Sequence, residues 1–263
     1  MAFLQVSFSS QALGMCSSVN VILPQTAGRA QDKAIPVVYL LHGYSDDHTI
    51  WMRRTSIERY ADSIAPGFAI VMPAVDKSFY ADMKYGSNYW TYVSRELPEI
   101  MSSMFPLSAR RQDTFVAGLS MGGYGALKLA LNQPERFLAC ASLSGACEMG
   151  TDLPELKMDD VFQRQLICDF GSAEEFRHSV NDLSWQAEQV AKGSVIPEIY
   201  MACGTKDFLY ENNLGFLKHL RGLKLPVLWE ETPGREHTWD YWDEKIQVAL
   251  KWFVELREKA LKL

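Results

Sequence analysis

The sequence lacks a long hydrophobic run. No apolar stretch reaches the roughly 18 residues that a membrane-spanning helix requires. The chain opens with AFLQVSFSSQ, which alternates apolar and polar residues, and its first basic residue is Arg29. A basic segment followed by an apolar segment, as in a secretory signal, is therefore missing. These absences predict a protein with no membrane segment and a cytoplasmic location.

Cysteine is also scarce, with five residues in 263 and no C-x-x-C spacing. An odd, widely spaced set does not fit a disulfide framework or a structural zinc site. We therefore expect no metal and no cofactor. The thiols are expected to be reduced and mostly buried; they are Cys16, Cys140, Cys147, Cys168 and Cys203.

Excess positive charge is absent as well. The chain carries 26 Lys and Arg against 32 Asp and Glu, a net charge of −6, and its basic residues are scattered. Nucleic-acid-binding proteins concentrate basic residues on one surface, so no nucleic-acid partner is expected. The 48% hydrophobic content is typical of globular proteins and predicts one domain over residues 1–263 that acts on a small molecule.

The chain contains two kinds of strand pattern. The N-terminal AFLQVSFSS and SVNVILP alternate, which predicts an antiparallel pair at a sheet edge. Short, continuous apolar runs indicate parallel strands covered on both faces. These runs are IPVVYLLHG, FAIVMPA, DTFVAGLS, FLACASLSG, IPEIYMACG and LPVLWEETPG.

Helical patterns alternate with these runs, at residues 50–64, 89–104, 121–131, 209–220 and 239–256. The alternation predicts an α/β fold with a mostly parallel central sheet and helices on both faces. Residues 146–192 interrupt it, because they are polar and helix-prone without a strand pattern. That segment is interpreted as either a cap or lid-like insertion over the carboxyl edge of the sheet or a set of surface helices.

The stretch Gly118-Leu119-Ser120-Met121-Gly122 matches G-x-S-x-G between a predicted strand and a predicted helix. In such a turn the serine has a strained backbone and an exposed hydroxyl, and the glycines avoid collisions with the neighbouring elements. Ser120 is therefore the candidate nucleophile. A serine hydroxyl is weakly nucleophilic and needs a base that a third group orients.

The histidine base follows the serine and the acid in the chain order typical of this turn. His42 and His48 precede Ser120, and His178 and His219 lie in helical stretches. His237 follows the last predicted strand directly, so it is the candidate base; a loop histidine with only structural contacts is the alternative.

Asp207 is the candidate acid, because it lies just beyond the strand IPEIYMACG. It also fits the N-cap of the following helix, and the two roles are compatible. Asp169, Asp182 and Asp240 are weaker candidates.

Acyl transfer also needs two backbone donors for the developing negative oxygen. The N–H of Met121 follows the nucleophile, and the N–H of Tyr44 lies in the loop after VVYLLHG, where Gly43 permits close approach. These two groups form the predicted oxyanion hole. His42 is expected to order that loop through hydrogen bonds.

Taken together, these motifs resemble the esterase D-like family of α/β hydrolases and are most similar to bacterial tributyrin esterases. The resemblance covers nearly the whole chain, and its most specific segments are GLSMGGYGA and PGREHTWDYW. It implies an α/β-hydrolase fold and a serine carboxylesterase that acts on short acyl esters without a cofactor. Ser120, Asp207 and His237 are the triad that the resemblance implies.

The same family includes S-formylglutathione hydrolases, feruloyl and acetyl-xylan esterases and mycolyl transferases, so these substrates stay open. A catalytically silent binding scaffold is the alternative from another class. Gly43, Tyr85 and Trp90 are predicted to contact the substrate, although Trp90 also fits the core. A homo-oligomer is compatible with the sequence but not required by it.

Overall fold

The computed structural model describes residues 1–25, 34–149, 153 and 160–262. In these ranges the strands form one eight-stranded sheet with the order β1-β2-β4-β3-β5-β6-β7-β8. The strands are β1 Ala2–Ser10, β2 Met15–Leu23, β3 Val37–Leu41, β4 Ala69–Pro73, β5 Thr114–Leu119, β6 Ala139–Leu143, β7 Glu198–Gly204 and β8 Val227–Thr232.

The strand directions confirm the predicted sheet. β1 and β2 form an antiparallel hairpin in which Ser10 pairs with Met15, and β2 also runs antiparallel to β4. The strands from β4 to β8 are mutually parallel in their spatial order. Gly14 in the hairpin turn has φ 67°, a backbone angle that favours glycine.

The described helices are α1 Ile50–Arg54, α2 Ile57–Ser63, α3 Tyr89–Thr91, α4 Leu97–Met104, α5 Met121–Asn132, α6 Val161–Phe170, α7 Ala173–Phe176, α8 Leu183–Lys192, α9 Tyr210–Gly222 and α10 Trp239–Ala260. The predicted continuous helix over 50–64 is wrong. Thr55 adopts extended angles, and its hydroxyl bonds the Trp51 carbonyl at 2.5 Å, so α1 ends there. A π-helical turn, Tyr92–Glu96, joins α3 to α4.

Each face of the sheet has its own hydrophobic core, because successive strand side chains point to opposite sides. In β3, Val37, Tyr39 and Leu41 contribute to the core beneath α4, α5, α8 and α9. Val38 and Leu40 contribute to the core beneath α1, α2 and α10. Helices on both faces leave the carboxyl ends of the parallel strands as the edge where loops meet.

The segment 146–192 forms α6, α7 and α8 in its described part, and residues 150–152 and 154–159 lie outside the described residues. Asp160 caps α6 through the N–H groups of Phe162 and Gln163. Ser172 and Glu175 form a capping box at α7. These caps explain why a polar stretch without a strand pattern is helical.

All five thiols are free. Cys140, Cys147 and Cys203 are buried as expected, whereas Cys16 is exposed and Cys168 is half-buried. Within the described ranges, no helix has both the length and the apolar character to cross a membrane.

Candidate active site

Ser120 lies in a tight turn between β5 and α5. Its backbone has φ 52° and ψ −117°, a sparsely populated conformation for a residue with a side chain. Three backbone bonds hold the turn: Ser120 N donates to Leu143 O at 2.9 Å, and Ser120 O accepts from Tyr124 N at 3.1 Å and from Ala146 N at 3.2 Å. A Cβ on Gly122 would lie 2.5 Å from the Leu41 carbonyl oxygen. The glycine is therefore required by the close approach of α5 to β3.

His237 and Asp207 form a hydrogen-bonded pair at the same edge of the sheet. His237 Nδ1 lies 3.0 Å from Oδ1 and 2.9 Å from Oδ2 of Asp207. The Asp207 side chain is fully buried and accepts a further bond from Leu209 N at 2.8 Å. Asp207 thus lies beside the histidine as predicted, but the N-cap of α9 is Leu209, so the predicted N-cap role of Asp207 is wrong.

The surroundings of Asp207 keep it ionised. Burial raises the pKa of its carboxyl, but hydrogen bonds from His237, Leu209 and the Ser144 hydroxyl outweigh burial and hold the pKa below its usual value. Ser144 is itself buried, has φ 49°, and accepts a bond from Trp242 Nε1 at 3.1 Å. Ser144 was not predicted from the sequence, although it directly follows β6, a parallel strand next to the strand that precedes the nucleophile.

The imidazole of His237 lies between two aromatic rings. The Phe208 ring centroid is 4.5 Å from that of His237, and the Trp242 centroid is 4.8 Å away at 86°. These contacts and the bond to Asp207 fix the ring with Nδ1 toward the carboxylate. Nε2 is then the nitrogen left to exchange a proton.

Ser120 and His237 line one cavity of about 400 Å³. In the described chain no hydrogen bond joins Ser120 Oγ to His237. Catalytic bonds of this kind are often long without substrate and tighten in the complex. Gly43 and Tyr44 line the same cavity, so the predicted nucleophile, base and oxyanion loop meet at one place.

The loop after β3 presents its backbone to this cavity. Neither the N–H of Tyr44 nor the N–H of Met121 donates a hydrogen bond to any other residue that the structure describes. Met121 is the first residue of α5, where N–H groups have no partner within the helix. Both donors are thus available for an oxyanion.

His42 holds that loop in place. Its Nε2 accepts a bond from Val75 N at 3.1 Å, and its Nδ1 lies 2.8 Å from Gly43 O. Tyr80 OH donates to His42 O at 2.9 Å. Burial lowers the pKa of His42 to about 4, so the ring is neutral at neutral pH. These contacts match the ordering role expected for His42.

The cavity wall is mainly apolar and includes residues that the sequence analysis did not assign to the site. Phe208 is 76% exposed at the mouth although it adjoins Asp207 in the chain. The position of Phe208 directly after Asp207 could have predicted a place in the cavity wall. The positions of Trp239 and Trp242 shortly after His237 could have done the same. The unassigned apolar residues of the wall are Phe79, Leu119, Ala146, Met149, Phe162, Phe208, Leu209, Trp239 and Trp242.

The structure does not bring Tyr85 and Trp90 into the cavity. Tyr85 is 67% exposed, and its backbone N–H bonds Cys168 O at 3.0 Å. Trp90 packs beside α5, with Lys128 Nζ 4.8 Å from its ring centroid. The loop of Tyr85 turns toward α6, and Trp90 lies in α3 beside α5, so the substrate contacts predicted for these two residues are not found at this cavity. Gly43, the third predicted contact, does line the cavity.

The described residues contain no cluster of three His, Cys, Asp or Glu side chains that could hold a metal ion. The other histidines have separate environments: His178 packs on Trp185 with centroids 4.2 Å apart, and His219 Nε2 lies 3.1 Å from Ser184 O. The three weaker acid candidates also have other partners: Asp182 caps α8, Asp240 binds Arg235, and Asp169 accepts a bond from Gln165 Nε2 at 2.9 Å.

Comparisons with known proteins identify the family of the chain. The family model Esterase matches residues 10–253. An acetyl esterase from Caldicellulosiruptor saccharolyticus is 31% identical over 98% of this chain and 100% of its own length.

Two solved structures from Staphylococcus aureus are each 36% identical and cover 96% of this chain and 98% of their own. They are the fluorophosphonate-binding serine hydrolase F, with substrate bound, at a TM-score of 0.85, and an S-formylglutathione hydrolase at 0.83. The finer similarity to tributyrin esterases stays a prediction. The chain belongs to the esterase family of carboxylic ester hydrolases with the α/β-hydrolase fold.

Proposed function

We propose that the protein hydrolyses short-chain acyl esters with Ser120 as nucleophile, His237 as base and Asp207 as the orienting acid. The observation that carries this assignment is the buried Asp207 bonded to His237 at 2.9 Å, with His237 and Ser120 lining one cavity. The relatives named as an acetyl esterase and serine hydrolases support the same chemistry.

In the proposed reaction, Ser120 Oγ forms a bond to the ester carbonyl carbon while His237 Nε2 takes the hydroxyl proton. The carbonyl oxygen becomes an anion held by the N–H groups of Tyr44 and Met121. The intermediate collapses, the C–O bond to the alcohol breaks, and Nε2 returns the proton to the leaving oxygen. Water then attacks the acyl-enzyme and loses a proton to His237. The bond from the acyl carbon to Ser120 Oγ breaks, and Nε2 returns that proton to Oγ as the acid leaves.

The walls of the cavity that contains Ser120 and His237, called the first cavity below, favour a short, apolar acyl group. Phe79, Phe162 and Met149 contribute apolar surface, and the volume of about 400 Å³ is within the range of small-molecule sites. We also propose that residues 1–263 act as one domain and that the segment 146–192 caps the site, because Met149 and Phe162 belong to it. A cytoplasmic location and a homo-oligomer stay predictions from the sequence.

The test is hydrolysis of p-nitrophenyl acetate and butyrate by wild type, Ser120→Ala and Ser63→Ala. Ser63 is an exposed residue at the end of α2 and serves as the matched control. We expect Ser120→Ala to lose hydrolysis and labelling by a fluorophosphonate probe while it stays folded, and Ser63→Ala to retain both. Full activity in Ser120→Ala would reject the assignment. A folded wild type that neither hydrolyses the esters nor reacts with the probe would favour a silent scaffold.

Thioester hydrolysis is the second candidate function, because an S-formylglutathione hydrolase structure covers 96% of this chain at 36% identity. Comparison of kcat/KM for tributyrin, S-formylglutathione and a feruloyl ester separates the candidates, since specificity lies in the ratio of these values. We expect the short-chain oxygen ester to have the highest value.

A further inference from the structure

A second cavity, of about 540 Å³, lies beyond the loop that follows β3. Tyr44, Ser45 and Asp46 line both this cavity and the one that contains Ser120. The loop is therefore a shared wall between the two spaces. A substrate at Ser120 that extends past this wall would enter the second cavity.

The two sides of the Tyr44 ring differ in chemistry. On the side of the first cavity, the ring centroids of Phe79 and Phe162 lie 5.8 and 5.3 Å from that of Tyr44. The Nζ atom of Lys77 lies 5.2 Å from the centroid of the Tyr44 ring. Lys77 lines the second cavity but not the cavity that contains Ser120. Phe79 and Phe162 thus line only the cavity beside Ser120, whereas the ammonium of Lys77 faces only the second cavity.

The second cavity combines donors and acceptors. Ser87 and Gln165 contribute neutral polar groups, Lys77 a donor, and Asp46 and Asp76 carboxylates, while Met15 and Met83 add apolar surface. The Nε2 of Gln165 already donates to Asp169 Oδ1 at 2.9 Å, which leaves its Oε1 to accept from a ligand. Asp76 already accepts a bond from Tyr89 OH at 2.5 Å, so its orientation is fixed. In the described chain Lys77 has no ion-pair partner and remains available to a ligand.

This wall favours a neutral ligand that carries hydroxyl groups. Two carboxylates against one ammonium give an excess negative charge, which disfavours an anionic ligand. An apolar ligand would remove water from these groups without replacing its hydrogen bonds, which is costly. Each hydroxyl of a sugar or glycerol both donates and accepts, as the mixed wall requires.

The alcohol half of the ester is the part that can reach this space. This step rests on the proposed function: a short acyl group is accommodated in the apolar cavity beside Ser120, which leaves the alcohol as the longer half. We propose that the second cavity is a leaving-group subsite that binds a neutral polyhydroxylated alcohol, with Lys77, Gln165 and Ser87 contacting its hydroxyls.

The test compares two acetate esters with secondary ring alcohols, monoacetylated methyl xyloside and cyclohexyl acetate, by titration of released acid. The measured quantity is the ratio of kcat/KM for the xyloside ester to kcat/KM for the cyclohexyl ester. We expect a ratio of about ten or more in wild type, and a drop of about tenfold in Lys77→Met and in Gln165→Leu, the size of one lost hydrogen bond to a ligand. Lys218→Met, on α9 away from both cavities, is the matched control and should keep the wild-type ratio.

Several results would overturn the subsite. A wild-type ratio near one would do so, as would an unchanged ratio in both variants that melt at the wild-type temperature. If the wild type hydrolyses p-nitrophenyl acetate but its ratio of kcat/KM for the xyloside ester to kcat/KM for the cyclohexyl ester is near one, only the subsite is rejected. If the wild type does not hydrolyse p-nitrophenyl acetate, the proposed function is rejected as well.

Discussion

Replacement of Asp207 by Asn tests the orienting role of the acid with almost no change in shape. Oδ1 accepts from Leu209 N at 2.8 Å, and His237 Nδ1 lies 2.9 Å from Oδ2. If the amide oxygen takes the place of Oδ1, the amide NH₂ faces Nδ1. Two donors cannot bond each other, so the imidazole must accept at Nδ1 and carry its proton on Nε2. In that tautomer the ring cannot take the proton of Ser120.

The opposite amide orientation is also unfavourable. It would place the NH₂ group against Leu209 N–H, and Asp207 is only 5% exposed, so the two donors would meet without water. We therefore expect kcat to fall about 10,000-fold, as a wrong tautomer does in other triads. This loss corresponds to about 5 kcal/mol in the activation free energy.

The assay is steady-state hydrolysis of p-nitrophenyl butyrate at pH 7, with Asp240→Asn as control. Asp240 lies in the first turn of α10 with its side chain 65% exposed and binds Arg235 at 2.8 Å. Exposed ion pairs contribute little, so the control should retain activity within about twofold. An Asp207→Asn enzyme with more than about a tenth of the wild-type kcat would refute the reasoning.

Two further predictions concern stability. Asp113→Asn should lower the free energy of unfolding by about 3 kcal/mol at pH 7, because the buried carboxylate accepts from Arg110 and Arg257 at 2.7 Å. Burial raises the pKa of Asp113, but these bonds and that of Ser108 hold it below 3.8. The stabilisation is therefore complete above about pH 4 and is lost in stronger acid. In stronger acid, the midpoints of urea unfolding of the wild type and of Asp113→Asn should converge. Gly122→Ala should destabilise the protein by about 2 kcal/mol, since the new Cβ meets the Leu41 carbonyl, whereas Gly222→Ala, with open space around it, should be neutral in thermal melts.

The sheet and the candidate triad were accessible from the sequence because their signals are local. The glycines around Ser120 and the positions of Asp207 and His237 after late strands each occupy a few consecutive residues. Continuous apolar runs likewise indicated parallel strands before their pairing was known. These features depend on backbone sterics and on burial along one strand.

The pocket walls were not accessible, because they depend on how distant loops meet. Phe79, Phe162 and Phe208 come from three loops or helices, and their aromatic character fits core packing as well as a ligand site. Tyr85 was misplaced for the same reason: a loop beyond the sheet edge does not reveal which way its side chains turn. The break in the helix at Thr55 depends on one hydroxyl bond to a carbonyl.

The buried ring of His42 gives the enzyme a specific weakness in mild acid. Burial lowers the pKa of His42 from the ordinary histidine value of 6.5 to about 4 in the folded chain. Between pH 6.5 and pH 4, the imidazole is therefore protonated in the unfolded chain and neutral in the folded chain. Stability therefore declines as pH falls through this window, while the ring in each surviving molecule stays uncharged and keeps its contacts. Mild acid should therefore shorten the time for which the protein stays folded before it distorts the loop of the proposed oxyanion hole.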